Sequence, residues 1–159
     1  MTTIATWTGA RDPFLRAASA AVLTLAVTSI HHAYGAFIYA TPWRLHILHA
    51  AIPAALAISA LLYAARAYRG TLSGRLAGWV GSLVILAFPV AMIGFYEGGF
   101  NHVLKNIVYF GFGADIARTI FPAPTYEMPN DLLFELTGIV QFPLSVWAAM
   151  LTVAMLRGR

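Results

Sequence analysis

The chain contains no cysteine. That absence excludes disulfides, thiolate nucleophiles, Cys-ligated zinc and iron–sulfur clusters. Charge is almost as scarce: Asp, Glu, Lys and Arg make up 10% of the 159 residues, against about 25% in soluble domains. Among the 10 basic residues Lys105 is the only lysine. With 6 acidic residues the net charge is +4, and it is spread along the chain, so no basic patch for nucleic acid forms. What abounds is apolar. Hydrophobic residues reach 60% and the mean hydropathy is +0.73, beyond the range of about 45–50% apolar in soluble domains. A soluble enzyme, a disordered chain and a nucleic-acid-binding module are therefore excluded. The arginine-over-lysine bias and the abundant alanine suggest a GC-rich bacterial genome.

Uncharged apolar runs predict four membrane spans, over about 17–39, 45–65, 76–96 and 136–156. Each reaches the roughly 20 residues that cross about 30 Å of hydrocarbon. The whole chain reads as one integral membrane domain, an all-α polytopic four-transmembrane-helix bundle. The short Ala40-Thr41-Pro42-Trp43-Arg44 connection makes the first two spans antiparallel neighbours. Between spans three and four, Val103, Leu104, Ile107, Val108, Ala114, Ala117, Ile120 and Phe121 recur at roughly helical spacing, interrupted by Lys105, Asp115 and Arg118. This predicts a short interfacial helical cap over about 100–121, broken at Gly111-Phe112-Gly113. Pro122-Ala123-Pro124 then reads as extended, and Pro129-Asn130-Asp131 as the cap and first turn of span four.

Orientation follows from the basic residues. Arg11, Arg16, Arg66, Arg69, Arg75, Arg157 and Arg159 fall on one side; Arg44, Lys105 and Arg118 fall on the other. The positive-inside rule makes both termini cytoplasmic and the protein a multi-pass component of the bacterial inner membrane. Asp12 is the one acidic residue on the inner side; Glu97, Asp115, Glu127, Asp131 and Glu135 lie outside. The long leader and the lack of a small-residue cleavage site after the first run favour a retained span over a cleaved signal peptide. Trp7, Trp43, Trp79 and Trp147 sit near span ends, as in an aromatic belt.

All histidines map to the outer half of this bundle. His31 and His32 lie about two turns below the outer end of span one. His46 and His49 lie in the first two turns of span two, His102 follows Glu97 by five residues, and Asp131 and Glu135 open span four. Polar groups at membrane depth are costly and normally face the bundle interior. His46 and His49 are spaced i, i+3 and share a face that continues through Pro53 and Ala57, where another helix or a cofactor is expected. His31 and His32 point about 100° apart. Only one is expected to face a single centre, and the stripe of Thr28, Ser29 and Gly35 leans toward His32. Gly98-Gly99 is expected to be a flexible point that folds Asn101-His102 back toward Glu97. Asp131 fits a helix cap as well as a ligand, and His102 with Lys105 fits a wet interfacial face. Glu127, in the outer loop, has no expected role.

Imidazoles and carboxylates without thiolates suit a transition metal such as iron, copper or zinc. The ligand pool is His31, His32, His46, His49, His102, Glu97, Glu135 and Asp131, with Glu97 also the expected catalytic group. No His-Glu-x-x-His helix and no pair of Glu-x-x-His helices is present. A bis-histidine haem is a second form of the same reading, with one histidine from each of the first two spans and Arg44 or Lys105 on the propionates. An oxidoreductase role extends it. Two alternatives need no metal. One is a pocket for a small or lipid-like hydrophobic molecule, in which Glu97 and histidines exchange protons for transport or isomerisation. The other is an accessory subunit that pairs with a membrane-protein partner or with its own copies. The lipid bilayer is the expected partner in every case, and nucleic acid in none.

Overall fold

A computed structural model describes residues 12–158; Trp7, Arg11 and Arg159, used above for belt and orientation, lie outside them. Helix α1 runs over Pro13–Ile38. Asp12 caps it by accepting from the Phe14 and Leu15 amides, and Pro13 opens the first turn, where no amide is needed. A single 3-10 turn, Pro42–Leu45, leads into α2, His46–Ala67. Helix α3 spans Leu72–Phe112, α4 spans Ala114–Ile120, and α5 spans Leu132–Arg157. No strand occurs among the described residues. Four helices are long and apolar enough to cross a membrane, at 26, 26, 41 and 26 residues, counting the turn before α2. Helix α5 packs along both α1 and α3, while α2 packs against α1 and α3 from outside.

The lower half of the bundle is apolar and small-residue-rich. Ala17, Ala20, Ala21, Leu25, Ile58 and Leu62 are buried there with Ile85, Ala148 and Met155. Alanines at helix contacts let backbones approach closely, which supplies packing where lipid removes the hydrophobic drive.

The third helix departs from expectation. It does not end near residue 96, and Gly98-Gly99 is no hinge. Its glycines serve close approach to α5 instead. A Cβ on Gly98 would come within 2.7 Å of the Phe142 backbone nitrogen, and one on Gly94 would collide with the Ser145 side chain. The helix continues with i→i+5 hydrogen bonding from Leu86 to Leu104, a stretch that opens just before Pro89. Proline has no amide to donate, so the ladder must adjust there. Widening stacks residues five apart, which sets Glu97 beneath His102.

The break at Gly111-Phe112-Gly113 is present. Helix α3 stops at Phe112, and Gly113 has φ +100°, a conformation that favours glycine. The cap is thus smaller than 100–121. It comprises α4 and the following loop, packed on a cluster of Val108, Ala117 and Phe121. Asp131 caps α5 as expected, accepting from the Phe134 amide at 2.8 Å.

Helix α2 presents a different face from the one expected. Its buried residues are Ala51, Ile58, Leu62 and Ala65. His49 precedes Ala51 by two residues, about 200° around the helix. His46, His49, Pro53 and Ala57 are accordingly exposed.

Candidate metal centre

The half of the α1–α3–α5 interface remote from the chain termini is polar, and it is built around one carboxylate. Helix α1 buries the stripe Thr24, Thr28, His31 and Gly35, so His31, not His32 alone, faces inward. Both histidines nevertheless reach the same atom. Glu97 Oε1 lies 3.5 Å from His32 Nε2, 3.6 Å from His102 Nε2 and 3.7 Å from His31 Nε2. The long glutamate side chain enters between two rings that diverge on α1, which removes the objection that adjacent histidines cannot share a centre. Glu97 Oε2 accepts from Asn101 Nδ2 at 2.7 Å, one turn above.

These nitrogen–oxygen distances exceed a normal hydrogen bond. They are close to the spacing of two ligands on one ion: bonds of about 2.1 Å at a tetrahedral angle separate the donors by about 3.4 Å. His31, Glu97 and His102 each place a ligand atom within 4.8 Å of the others and could hold a metal ion.

Helix α5 orients both imidazoles from behind. His31 Nδ1 lies 3.0 Å from Thr137 Oγ1. That hydroxyl donates to the Leu133 carbonyl at 2.8 Å, so it accepts from His31. His102 Nδ1 lies 3.0 Å from Glu135 Oε2, and an ionised carboxylate only accepts. Each Nδ1 therefore carries a hydrogen, and Nε2 is the ring atom turned to Glu97, free to ligate when the ring is neutral. This is the back-side bonding that metal-ligating histidines use to fix their tautomer. Two ring nitrogens, His31 Nε2 and His32 Nδ1, are buried with no hydrogen-bond partner. Unpartnered buried polar atoms are rare and costly.

Packing holds the rings in place. Phe134 stacks on His31 with centroids 4.2 Å apart, and Gly35 leaves room for the Phe134 ring. A Cβ on Gly138 would run into the His102 ring.

Around the centre the fixed charges are already matched. Lys105 Nζ bonds Glu135 Oε1 at 2.9 Å and the Glu127 carbonyl at 2.6 Å. Asn106 Nδ2 adds a bond to Glu135 Oε2 at 2.5 Å. Arg44 faces the Glu127 carboxylate at 3.4 Å. Glu97 alone is left with only histidines for charge partners among the described residues.

The expected ligand pool divides accordingly. His31, His102 and Glu97 come together, with His32 at the edge. Glu135 stands behind His102 rather than beside Glu97. Asp131 is occupied as the α5 cap and accepts from Tyr34 at 3.2 Å. His46 turns its Nδ1 to the Trp43 carbonyl at 2.6 Å, with its ring 6.4 Å from that of His32. His49 is exposed and outside the cluster. His102 and Lys105 form no wet face: both are 2% exposed. Glu127 is not bland, since it holds Arg44 and Lys105. Asn106 and Thr137 were not anticipated as parts of the site, and Lys105 was expected only as a partner for haem propionates. A lysine and an asparagine three and four residues after a histidine in an apolar helix were the available signal.

A cavity of about 250 Å³ adjoins the cluster. His32, Glu97 and His102 form part of one wall; Arg44, His46, Phe88, Met92, Tyr96 and Tyr126 line the others. Hydrogen bonding to Tyr96 pushes the Tyr126 phenol up to about 12, so it stays protonated at neutral pH. No protein-family model matches this chain, and neither a curated protein nor a solved structure shows significant similarity to it.

Proposed function

We propose that this protein is an integral inner-membrane metalloprotein. His31, Glu97 and His102 hold one transition-metal ion, with His32 beside the fourth position. One observation carries the reading: two imidazole nitrogens and a carboxylate oxygen converge in a buried space, with both rings already oriented through their other nitrogens. A bound dication relieves the mutual repulsion of these donors and neutralises a buried carboxylate that no lysine or arginine balances. Nitrogen and oxygen donors of this kind suit iron, copper or zinc. The adjoining cavity gives the ion an exchangeable side, as reactive rather than purely structural sites have. Its apolar and phenolic lining suits a small hydrophobic molecule, and with iron or copper bound the site serves an oxidoreductase. The cluster lies at the end of the bundle opposite Arg66, Arg69 and Arg75, which the positive-inside rule turns outward.

A haem finds weaker support. Two axial imidazoles need centroids about 6 Å apart, from two bonds of about 2 Å each plus the ring radii. The rings of His31 and His102 lie 4.6 Å apart, edge to face. His32 and His46 have a fitting 6.4 Å, but His46 is exposed rather than enclosed as a haem ligand is. Metal analysis and a visible spectrum of the detergent-purified protein test both forms. One ion per chain without a Soret band is expected. A Soret band would replace the small-ion site with haem; absence of stoichiometric metal after metal-replete expression would leave the proton-exchanging pocket around Glu97.

A further inference from the structure

The opposite end of the bundle is built differently. The turn from α2 to α3 carries Arg69, with Arg66 in the last turn of α2 and Arg75 in the first turn of α3, and it meets the start of α1 and the end of α5 around a cavity of about 330 Å³. Phe14, Ala65 and Met155 give the cavity apolar walls, and Arg69 and Arg75 are its charged lining. Among the described residues no acidic side chain lines it. The nearby Asp12 is already taken by Arg66, at 2.9 Å. The Arg69 guanidinium lies over the Phe14 ring at 4.9 Å, a stacking that positions the group while leaving its N–H donors available. Neither Arg69 nor Arg75 has an ion-pair partner among the described residues. A second cavity, of about 310 Å³, shares Phe14 with the first and runs between α1 and α2 along Ala18, Val22, Leu62 and Tyr63. It descends from the arginine level toward the apolar middle of the bundle.

We propose that this end binds an anionic phospholipid: the phosphate sits between Arg69 and Arg75, and one acyl chain lies in the groove between α1 and α2. Paired guanidiniums match a phosphate diester, and basic pockets at the membrane surface take anionic headgroups. The apolar groove distinguishes a lipid from free phosphate, which has nothing to place against Ala18 and Val22. This site is independent of the metal centre.

The test is retention of lipid by the full-length protein, measured by native mass spectrometry from micelles holding equal amounts of phosphatidylglycerol and phosphatidylcholine. One phosphatidylglycerol per chain is expected to be retained preferentially. R69Q/R75Q should weaken retention by at least about tenfold, since each surface arginine is worth roughly a fivefold factor toward an anionic lipid. A18F, which fills the groove without changing charge, should weaken it too. R118Q removes one positive charge from the other end, as R75Q does from this one, and should change nothing. If the double variant does not purify, R75Q alone carries the same test at about fivefold, because its side chain is exposed. Equal retention of phosphatidylcholine, or unchanged retention in the arginine variants, overturns the site. Displacement of the lipid by excess inorganic phosphate, with A18F behaving as wild type, overturns the lipid assignment in favour of a free oxyanion.

Discussion

His102 and His49 are the same residue type on long apolar helices at the same end of the bundle, yet their surroundings share nothing. His102 is 2% exposed, backed by Glu135 and pressed against Gly138. His49 stands exposed on the far side of α2 from Ala51 and Ile58. Depth and spacing therefore do not make a ligand. What separates the two is the helix behind the ring: α5 supplies Thr137 and Glu135 to α1 and α3, whereas nothing among the described residues packs on the outer face of α2. A buried imidazole with its Nδ1 engaged is ready to ligate; an exposed one is not.

The sharpest way to break this contrast is to remove a proposed ligand. Glu97→Gln keeps size and hydrogen bonding but deletes the balancing charge, and His102→Ala lowers coordination by one. Each should reduce metal affinity by at least about 100-fold, beyond the roughly 10–100-fold typical of residues behind the ligands. Equilibrium dialysis against a metal buffer measures it, and undiminished binding in both would place the ion elsewhere. Glu135→Ala should follow, because it leaves Lys105 buried without its partner. About 3–5 kcal/mol of stability should go with it, visible as a lowered unfolding temperature in detergent.

Thr137→Val preserves shape and removes only the acceptor for His31 Nδ1. Metal affinity should fall by about tenfold, at the lower end for such supporting groups, with unfolding nearly unchanged. His49→Ala should alter metal content less than twofold, within the scatter of a surface substitution; a loss as large as that of His102→Ala would erase the contrast. Glu127→Ala should lower stability more than His49→Ala does, because Arg44 loses its carboxylate.

The smallest effect concerns pH. Tyr39 and Tyr126 are pushed up to about 12, Tyr39 by burial first and Tyr126 by its bond to Tyr96. A folded-state value above the unfolded one of about 10 stabilises the fold below pH 10. That contribution fades as pH rises from about 10 toward 12. Phenolate absorbance should therefore show at least two tyrosines that remain protonated near pH 10.5.

Much of the architecture was legible because its signals are local. Asp131 announces a helix start, and Gly111-Phe112-Gly113 announces a break. Spans of apolar residues need no knowledge of partners. The inward face of α2 was not legible: its residues are apolar almost all round, so His46 and His49 gave the only visible stripe, of which His49 points away and His46 only borders the cavity. Gly98-Gly99 misled in a similar way, since glycine permits both a hinge and a close contact, and only Phe142 on another helix decides between them. At the site, Glu97, His31, His32 and His102 were nameable from sequence, but Thr137 behind His31 and Glu135 behind His102 depend on how α5 registers against α1 and α3.

The most direct measurement is anomalous diffraction from crystals of the metal-loaded protein, collected at the absorption edge of the ion found by elemental analysis. One peak is expected, about 2.0–2.2 Å from His31 Nε2, His102 Nε2 and a Glu97 carboxylate oxygen. A peak at His46 or His49, or fully occupied metal bound away from Glu97, would contradict the assignment of this site.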